Sequence, residues 1–251
     1  MQNLEGLYFG PFFVERLLGH GGFAAVYRVR ERATADLYTV KLLASEYARN
    51  PELCDMFARE ARTAAQLQHP NLPVVLRVDQ TYGRPYIVFR YEDGMTLDAF
   101  MGQEVASPAR TVVEALTGIA HAIDYLHAQG FLHRDVKPGN ILIPTAGPAK
   151  LLDFGLALHS ADRKALRDTA GAGTPGYLAP ELYRGALPSR ASDIYAFGVT
   201  VSVVLKRSPL LRVALSNSLS AIEHATDENP SKRPTHALDM IAGQHQEMDL
   251  V

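Results

Sequence analysis

The sequence predicts an α+β fold, and three observations carry the prediction. The first ninety residues alternate short Val/Tyr/Phe/Leu-rich runs with turns, one strongly helical segment (Pro51 to Gln68) interrupts them, and helical periodicity takes over from Thr96. A small sheet carrying one helix therefore precedes a mainly helical part. In order along the chain, Leu18-Gly19-His20-Gly21-Gly22-Phe23-Ala24-Ala25-Val26 reads as a Gly-rich turn between two strand-like runs, and Leu37 to Leu43 as the next strand. The composition breaks at Tyr91 to Met95, which divides the chain into residues 1–90, a connecting stretch at 90–95 and residues 96–251. Beyond the break, Ser107 and Pro108 supply an N-cap and a first-turn residue before Val112, Val113, Leu116, Ile119, Ile123 and Leu126, and Gly130 closes that helix. Ile194 to Leu205 is the most apolar stretch; it is shorter than the roughly 20 apolar residues a bilayer requires and reads as a buried helix.

Of 251 residues, 47% are apolar and 21% charged, which supplies a core and excludes a disordered chain. A net charge of −2 gives no basic field, so nucleic acid is not expected as a partner. The single cysteine, Cys54, has no internal disulfide partner, and Met1 to Gly10 carries no signal peptide; a cytoplasmic location without a membrane segment is expected.

Glycines at 19, 21 and 22 would let the backbone approach an anion and present amide hydrogens to it, with Phe23 at the turn tip shielding it from water. On its own such a hairpin is more often merely a turn. Lys41 stands isolated among the apolar residues of its strand-like run and needs an anionic partner if it points inward; Glu60, in the helical stretch Phe57-Ala58-Arg59-Glu60-Ala61, is the candidate. The decisive segment is His133-Arg134-Asp135-Val136-Lys137-Pro138-Gly139-Asn140, followed by Ile141-Leu142-Ile143 and then Asp153-Phe154-Gly155.

With these motifs the chain resembles the protein kinase family, in the style of bacterial eukaryotic-like (Hanks-type) Ser/Thr kinases. The resemblance runs from Tyr8 to about Ile241 and takes in His69-Pro70-Asn71, Gly173-Thr174-Pro175-Gly176-Tyr177-Leu178-Ala179-Pro180-Glu181, and Arg233 as the partner of Glu181. It implies one catalytic domain over 1–251: an N-lobe sheet with a regulatory helix, and a helical C-lobe shortened before its last helices. It implies ATP and Mg²⁺, with Mn²⁺ as a substitute, and transfer of the γ-phosphoryl group to Ser/Thr hydroxyls of protein substrates and of the chain itself. By matching motif positions, Asp135 resembles the catalytic base, Lys137 the group that steadies the phosphoryl, and Asn140 and Asp153 the metal ligands. Lys41, oriented by Glu60, would reach the nucleotide phosphates. Gly19, Gly21, Gly22, Val26, Thr39, Leu142 and the gatekeeper Phe89 would surround the nucleotide, and the Arg90 carbonyl and Glu92 amide would bond the adenine. Lys137 and Gly173-Thr174-Pro175 look like serine/threonine rather than tyrosine kinases.

Arg134, beside the base, resembles arginines that a phosphorylated activation segment satisfies. Thr169 is the expected acceptor, with Ser160 second, in a stretch Arg167-Asp168-Thr169-Ala170-Gly171 expected to be mobile when unmodified, with self-association for autophosphorylation as the implied event. Ala24 departs from the pattern where a third glycine is usual, Thr39 where a small alanine is usual, and the stretch Leu205 to Ala221 lacks an expected helix. A nucleotide-gated scaffold without transfer, or a small-molecule kinase, are the alternatives.

Overall fold

Period-two alternation in the first ninety residues builds a six-stranded antiparallel sheet of β1 (Tyr8–Phe9), β2 (Phe12–His20), β3 (Ala24–Glu31), β4 (Leu37–Leu43), β5 (Val75–Thr81) and β6 (Arg84–Arg90), in the order β1-β2-β3-β4-β6-β5. The computed structural model describes residues 3–103, 108–169 and 171–241; Ser107, the expected helix cap, lies outside them. The chain divides into two compact units, Met1–Gln68 with Pro73–Asp93, and His69–Leu72 with Gly94–Val251.

In the first unit, one face of the sheet buries Phe12, Val14, Tyr27, Val29, Val40, Leu42, Tyr86 and Val88. The alternate positions Ala24, Leu43 and Ile87 face the other way and pack on Phe57 and Ala61 of α1 (Pro51–Gln66). That helix starts where Asn50 accepts a hydrogen bond from the Leu53 amide at 3.2 Å, with Pro51 at its first position. It stops two residues before the expected Gln68, because Leu67 turns extended (ψ 124°) and buries its side chain.

The second unit comprises β7 (Gly94–Thr96), α2 (Leu97–Met101), α3 (Ala109–Ala128), β8 (Phe131–Leu132), β9 (Ile141–Pro144), β10 (Lys150–Leu151), β11 (Leu158–His159), α4 (Arg163–Asp168), α5 (Pro180–Tyr183), α6 (Arg190–Arg207), α7 (Pro209–Ala214) and α8 (Leu219–Ala225). Val112, Leu116, Ile119 and Ile123 on α3 are fully buried, as their helical spacing predicts. Gly130 follows the helix at φ +80°, a conformation that a side chain would strain. β9 is the middle strand of β10-β9-β7, and β11 pairs with β8. Residues 69–72 belong to this unit by their bonds: Asn71 Nδ2 donates to the Ala149 carbonyl at 2.8 Å, Lys150 Nζ to the Pro70 carbonyl at 2.7 Å, and His69 stacks on Tyr125.

Two expectations need correction. The stretch from Leu205 to Ala221 does hold a helix, α7, capped by Ser208 and anchored by the fully buried Leu211 and Leu215. Arg167 and Asp168 are helical, not a mobile loop, because Asp162 caps α4 through the Ala165 amide (3.0 Å) and Ala165 and Leu166 bury against Leu132 and Leu158. Among the described residues no helix is long and apolar enough to cross a membrane.

Candidate active site

In the first unit, the strand register collects the expected nucleotide residues on one face. Gly19 pairs with Val26, Val26 with Lys41, and Thr39 with Phe89, so Val26, Lys41, Thr39 and Phe89 project to the side that carries α1. Lys41 Nζ donates to Glu60 Oε1 at 2.6 Å, and Glu60 is 5% exposed, so burial on α1 gives its carboxylate a fixed position. Phe89 is half-buried against the α1 cluster. The Gly-rich turn closes with the Gly21 amide donating to the Ala24 carbonyl at 2.8 Å. A Cβ at Gly19, Gly21 or Gly22 would meet nothing within 4 Å, so this backbone is open to a ligand rather than to its own fold. Ala24 is 8% exposed and packs beside Leu43 and Ile87, which accounts for a side chain where a third glycine was expected. β6 ends at Arg90, whose amide is held by the Val74 carbonyl at 3.0 Å; Glu92 follows in the connecting stretch.

In the second unit, a dense set of bonds surrounds Asp135. Lys137 Nζ reaches its Oδ2 at 2.7 Å, Asn140 Nδ2 donates to the same oxygen at 2.8 Å and also to the Asp135 carbonyl, and Thr174 Oγ1 donates to Oδ1 at 2.6 Å. Lys137 Nζ also donates to Thr174 Oγ1 at 2.6 Å, closing a triangle. Asn140 enters β9 and Asp153 follows β10; antiparallel pairing of Ile141 with Leu151, plus the Leu152 amide on the Asn140 carbonyl (2.7 Å), holds both at one end of this hairpin. Asp153 is exposed and sits at φ +66°, where its Oδ1 accepts from the Gly155 amide at 3.2 Å. Arg134, at φ +72°, is also left-handed. Such strain persists only where the surroundings over-determine it, as they do here. Leu142 lies half-buried on β9, between Lys150 and Thr96.

A buried carboxylate fixes this loop from beneath. Asp193 near the start of α6, 1% exposed, accepts the backbone amides of His133 (2.9 Å) and Arg134 (2.8 Å) and the His127 Nε2 hydrogen at 2.9 Å. Burial alone would raise its pKa, but the His127 hydrogen bond and the Arg134 amide outweigh it and hold Asp193 below the usual carboxylate range. His133, fully buried, is pushed down by desolvation and stays neutral. Its geometry agrees: Nδ1 accepts the Asp135 amide (3.3 Å) and Nε2 donates to the Leu152 carbonyl (3.1 Å), which one neutral tautomer satisfies completely.

Sequence reasoning named Thr174 only within the Gly173-Thr174-Pro175 run and gave Asp193 no role. Both act at contacts of 39 and about 60 residues' separation, beyond any local pattern. The signal available for Thr174 was a hydroxyl locked between Gly173 and Pro175; Gly173 sits at φ +150°, where a Cβ would press on Leu178 at 2.7 Å. Glu181 and Arg233 form the expected pair, doubly bonded at 2.7 Å each.

The residues from 12 to 244 match the family model for the protein kinase domain. The chain is 33% identical over 214 residues to the serine/threonine-protein kinase PknH of Mycobacterium bovis, covering 85% of this chain and 36% of that protein. It is 31% identical over 224 residues to PrkC of Bacillus subtilis, covering 89% and 34%. The chain thus spans about a third of the length of these curated relatives. The fold resembles the crystal structure of a double mutant of the Mycobacterium tuberculosis PknI kinase domain, with a TM-score of 0.73, 26% identity, and coverage of 96% and 97%. The chain, by its motifs, its fold and its relatives, belongs to the protein kinase domain family.

Proposed function

We propose that the chain is a Mg²⁺- and ATP-dependent serine/threonine protein kinase whose single catalytic domain comprises both units. The observation that carries this reading is the engagement of Asp135 by Lys137, Asn140 and Thr174. A carboxylate accepts about four hydrogen bonds in all. Asp135 Oδ2 already takes two donors and Oδ1 one, which leaves a lone pair on Oδ1 for a substrate hydroxyl. In the reaction this hydroxyl oxygen bonds to the γ-phosphorus, its proton passes to Asp135, and ADP departs with the electrons of the broken P–O bond. Lys137, pinned on both Asp135 and Thr174, holds a positive charge where the phosphoryl group carries negative charge. In the first unit, the Gly19–Gly22 amides and Lys41, fixed by Glu60, address the phosphates, and Val26, Thr39, Phe89 and the Arg90–Glu92 backbone address the base.

The side chains fit a magnesium ion shared with nucleotide phosphates. Asn140 spends its Nδ2 on Asp135, leaving Oδ1 as a ligand atom, and the Asp153 carboxylate is exposed. Among the described residues no group of three His, Cys, Asp or Glu side chains forms a metal cage, and a donor set of one carboxylate and one amide suits an ion that takes its remaining ligands from phosphates and water. An ion held by Asn140 and Asp153 would supply charge neutralisation at the phosphate oxygens. Manganese takes similar oxygen ligands.

Protein hydroxyls are the acceptors, the chain's own Thr169 among them, in an encounter between two copies. Arg134 motivates that choice: it donates to Thr169 Oγ1 at 2.9 Å and to the Thr169 carbonyl, while its buried Nε has no partner, so phosphate oxygens on Thr169 would meet a guanidinium with a donor to spare. The free Cys54 fits a reducing, cytoplasmic setting. Incubation with labelled ATP and magnesium, followed by phosphoamino-acid analysis of casein, of myelin basic protein and of the chain itself, tests the reading. Label on serine and threonine is expected; nucleotide binding without transfer, or label only on metabolites, would overturn it.

A further inference from the structure

The Gly-rich turn is tied to α1 by a contact that the proposed chemistry leaves unused. The Phe23 ring, at the tip of the turn, meets the Tyr47 ring edge-on, with centroids 5.3 Å apart and planes at 78°. The backbone repeats the link: the Ala44 amide donates to the Phe23 carbonyl at 2.9 Å, and the Tyr47 amide donates to the Ala44 carbonyl at 2.9 Å. Phe23, Ala44 and Tyr47 thus form a closed circuit of two hydrogen bonds and one ring contact. From there Tyr47 reaches α1. Its ring packs on the cluster of Ala24, Leu43, Phe57, Ala61 and Ile87, its carbonyl accepts the Asn50 amide at 2.9 Å, and Asn50 is the α1 cap. Phe57 and Ala61 flank Glu60, the partner of Lys41.

We propose that Tyr47 is a positioning residue for nucleotide binding, which locks the tip of the Gly-rich turn to the helix that presents Glu60. The inference rests on the kinase reading, in which the turn covers the phosphates. Phe23 is 43% exposed, so the fold gains little by burying it; the ring contact fixes where the turn lies rather than filling a core. With Tyr47 in place, the turn and the Lys41–Glu60 pair hold their phosphate-binding geometry together, before nucleotide arrives. Without it, the turn must be ordered at binding, at the expense of affinity. The contact needs the ring and not the hydroxyl, so phenylalanine serves equally well at 47.

A double-mutant cycle on the full chain tests this, with magnesium–ATP affinity measured by calorimetry beside KM for ATP and kcat. Tyr47→Ala is expected to raise the dissociation constant about three- to tenfold, the size that an edge-on aromatic pair supplies. Tyr47→Phe should restore the parent affinity, and Tyr47→Ala should add nothing in a Phe23→Ala background. KM for ATP should rise with the dissociation constant while kcat changes less than twofold. Parent-like affinity in Tyr47→Ala, or effects of Phe23→Ala and Tyr47→Ala that simply add, would overturn the proposal, as would a loss in Tyr47→Ala that Phe at 47 does not restore. A parent that fails to bind magnesium–ATP at all would instead overturn the kinase reading, a result distinct from either.

Discussion

The Thr174 hydroxyl donates to Asp135 Oδ1 at 2.6 Å and accepts from Lys137 Nζ at 2.6 Å, so one side chain from the segment before α5 orients both groups to which the proposed transfer assigns a role. Removing it should misplace the base and the lysine together. Thr174→Ala is expected to lower transfer roughly 10- to 100-fold, equivalent to losing about one charge-assisted hydrogen bond at ~1.5–3 kcal/mol. Thr174→Ser should retain most activity, because the hydroxyl is what the geometry uses. Steady-state kinetics on both variants, with ATP affinity measured alongside, check this; equal losses in the two would point to the methyl group instead.

A second expectation concerns stability. Arg233 is bonded twice to Glu181 and also to the Ala191 and Asp227 carbonyls, and its side-chain exposure is 0%. Glu181→Gln would strip the charge from one side and leave a buried guanidinium uncompensated, at a cost of roughly 3–5 kcal/mol. Denaturant unfolding should show the midpoint falling with an unchanged slope. A loss below ~1 kcal/mol would mean that the carbonyls alone satisfy Arg233.

The pH dependence follows from His133. Its folded-state pKa lies below the ordinary 6.5 because burial disfavours the charged ring. In the unfolded chain this histidine takes up a proton as pH falls through 6.5, while in the folded chain it does not. Stability from this group is therefore fully present above pH 6.5 and declines below it, by at most ~1.4 kcal/mol per pH unit. Asp193, whose folded pKa is depressed, contributes in the same direction at lower pH, below its ordinary 3.8. Thermal unfolding from pH 7 to pH 5 should show the parent losing stability more steeply than His133→Asn, which starts less stable. Parallel slopes would contradict a neutral, proton-excluding His133.

Thr169 carries the regulatory expectation. Its hydroxyl donates to the Ala165 carbonyl at 2.6 Å and accepts from Arg134, so the unmodified side chain already occupies the guanidinium at the C-terminal end of α4. A phosphate adds close to two negative charges there and must displace the Ala165 bond. Mass spectrometry after incubation with magnesium and ATP should find phosphate on Thr169, with activity raised several-fold and Thr169→Ala unresponsive. Phosphate elsewhere, with full activity in Thr169→Ala, would remove this switch and leave the transfer chemistry standing.

Much of this was legible in the sequence where chemistry forces residue types into short spacings. Asp135, Lys137 and Asn140 lie within six positions, and Lys41 stood out because an ammonium in an apolar strand needs a partner. The α3 core followed from helical periodicity, since Val112, Leu116, Ile119 and Ile123 share one face. What stayed hidden depends on contacts far apart in the chain. Nothing local marks Asp193 as the acceptor for the amides of His133 and Arg134, and α4 carries only Ala165 and Leu166 as buried residues, too few for a visible period. The Phe23–Tyr47 contact joins a turn to a short 3-10 segment 24 positions on, and neither ring has a pattern that names the other.

The most direct test compares Asp135→Asn with the parent for magnesium–ATP affinity and for phosphoryl transfer in one preparation. The carboxylate is assigned to the substrate proton, so the amide should bind magnesium–ATP within about twofold of the parent while transfer falls by roughly 10²- to 10⁴-fold, the range that a positioned general base supplies. Transfer at near-parental rate in Asp135→Asn, with folding intact by circular dichroism, would contradict the account.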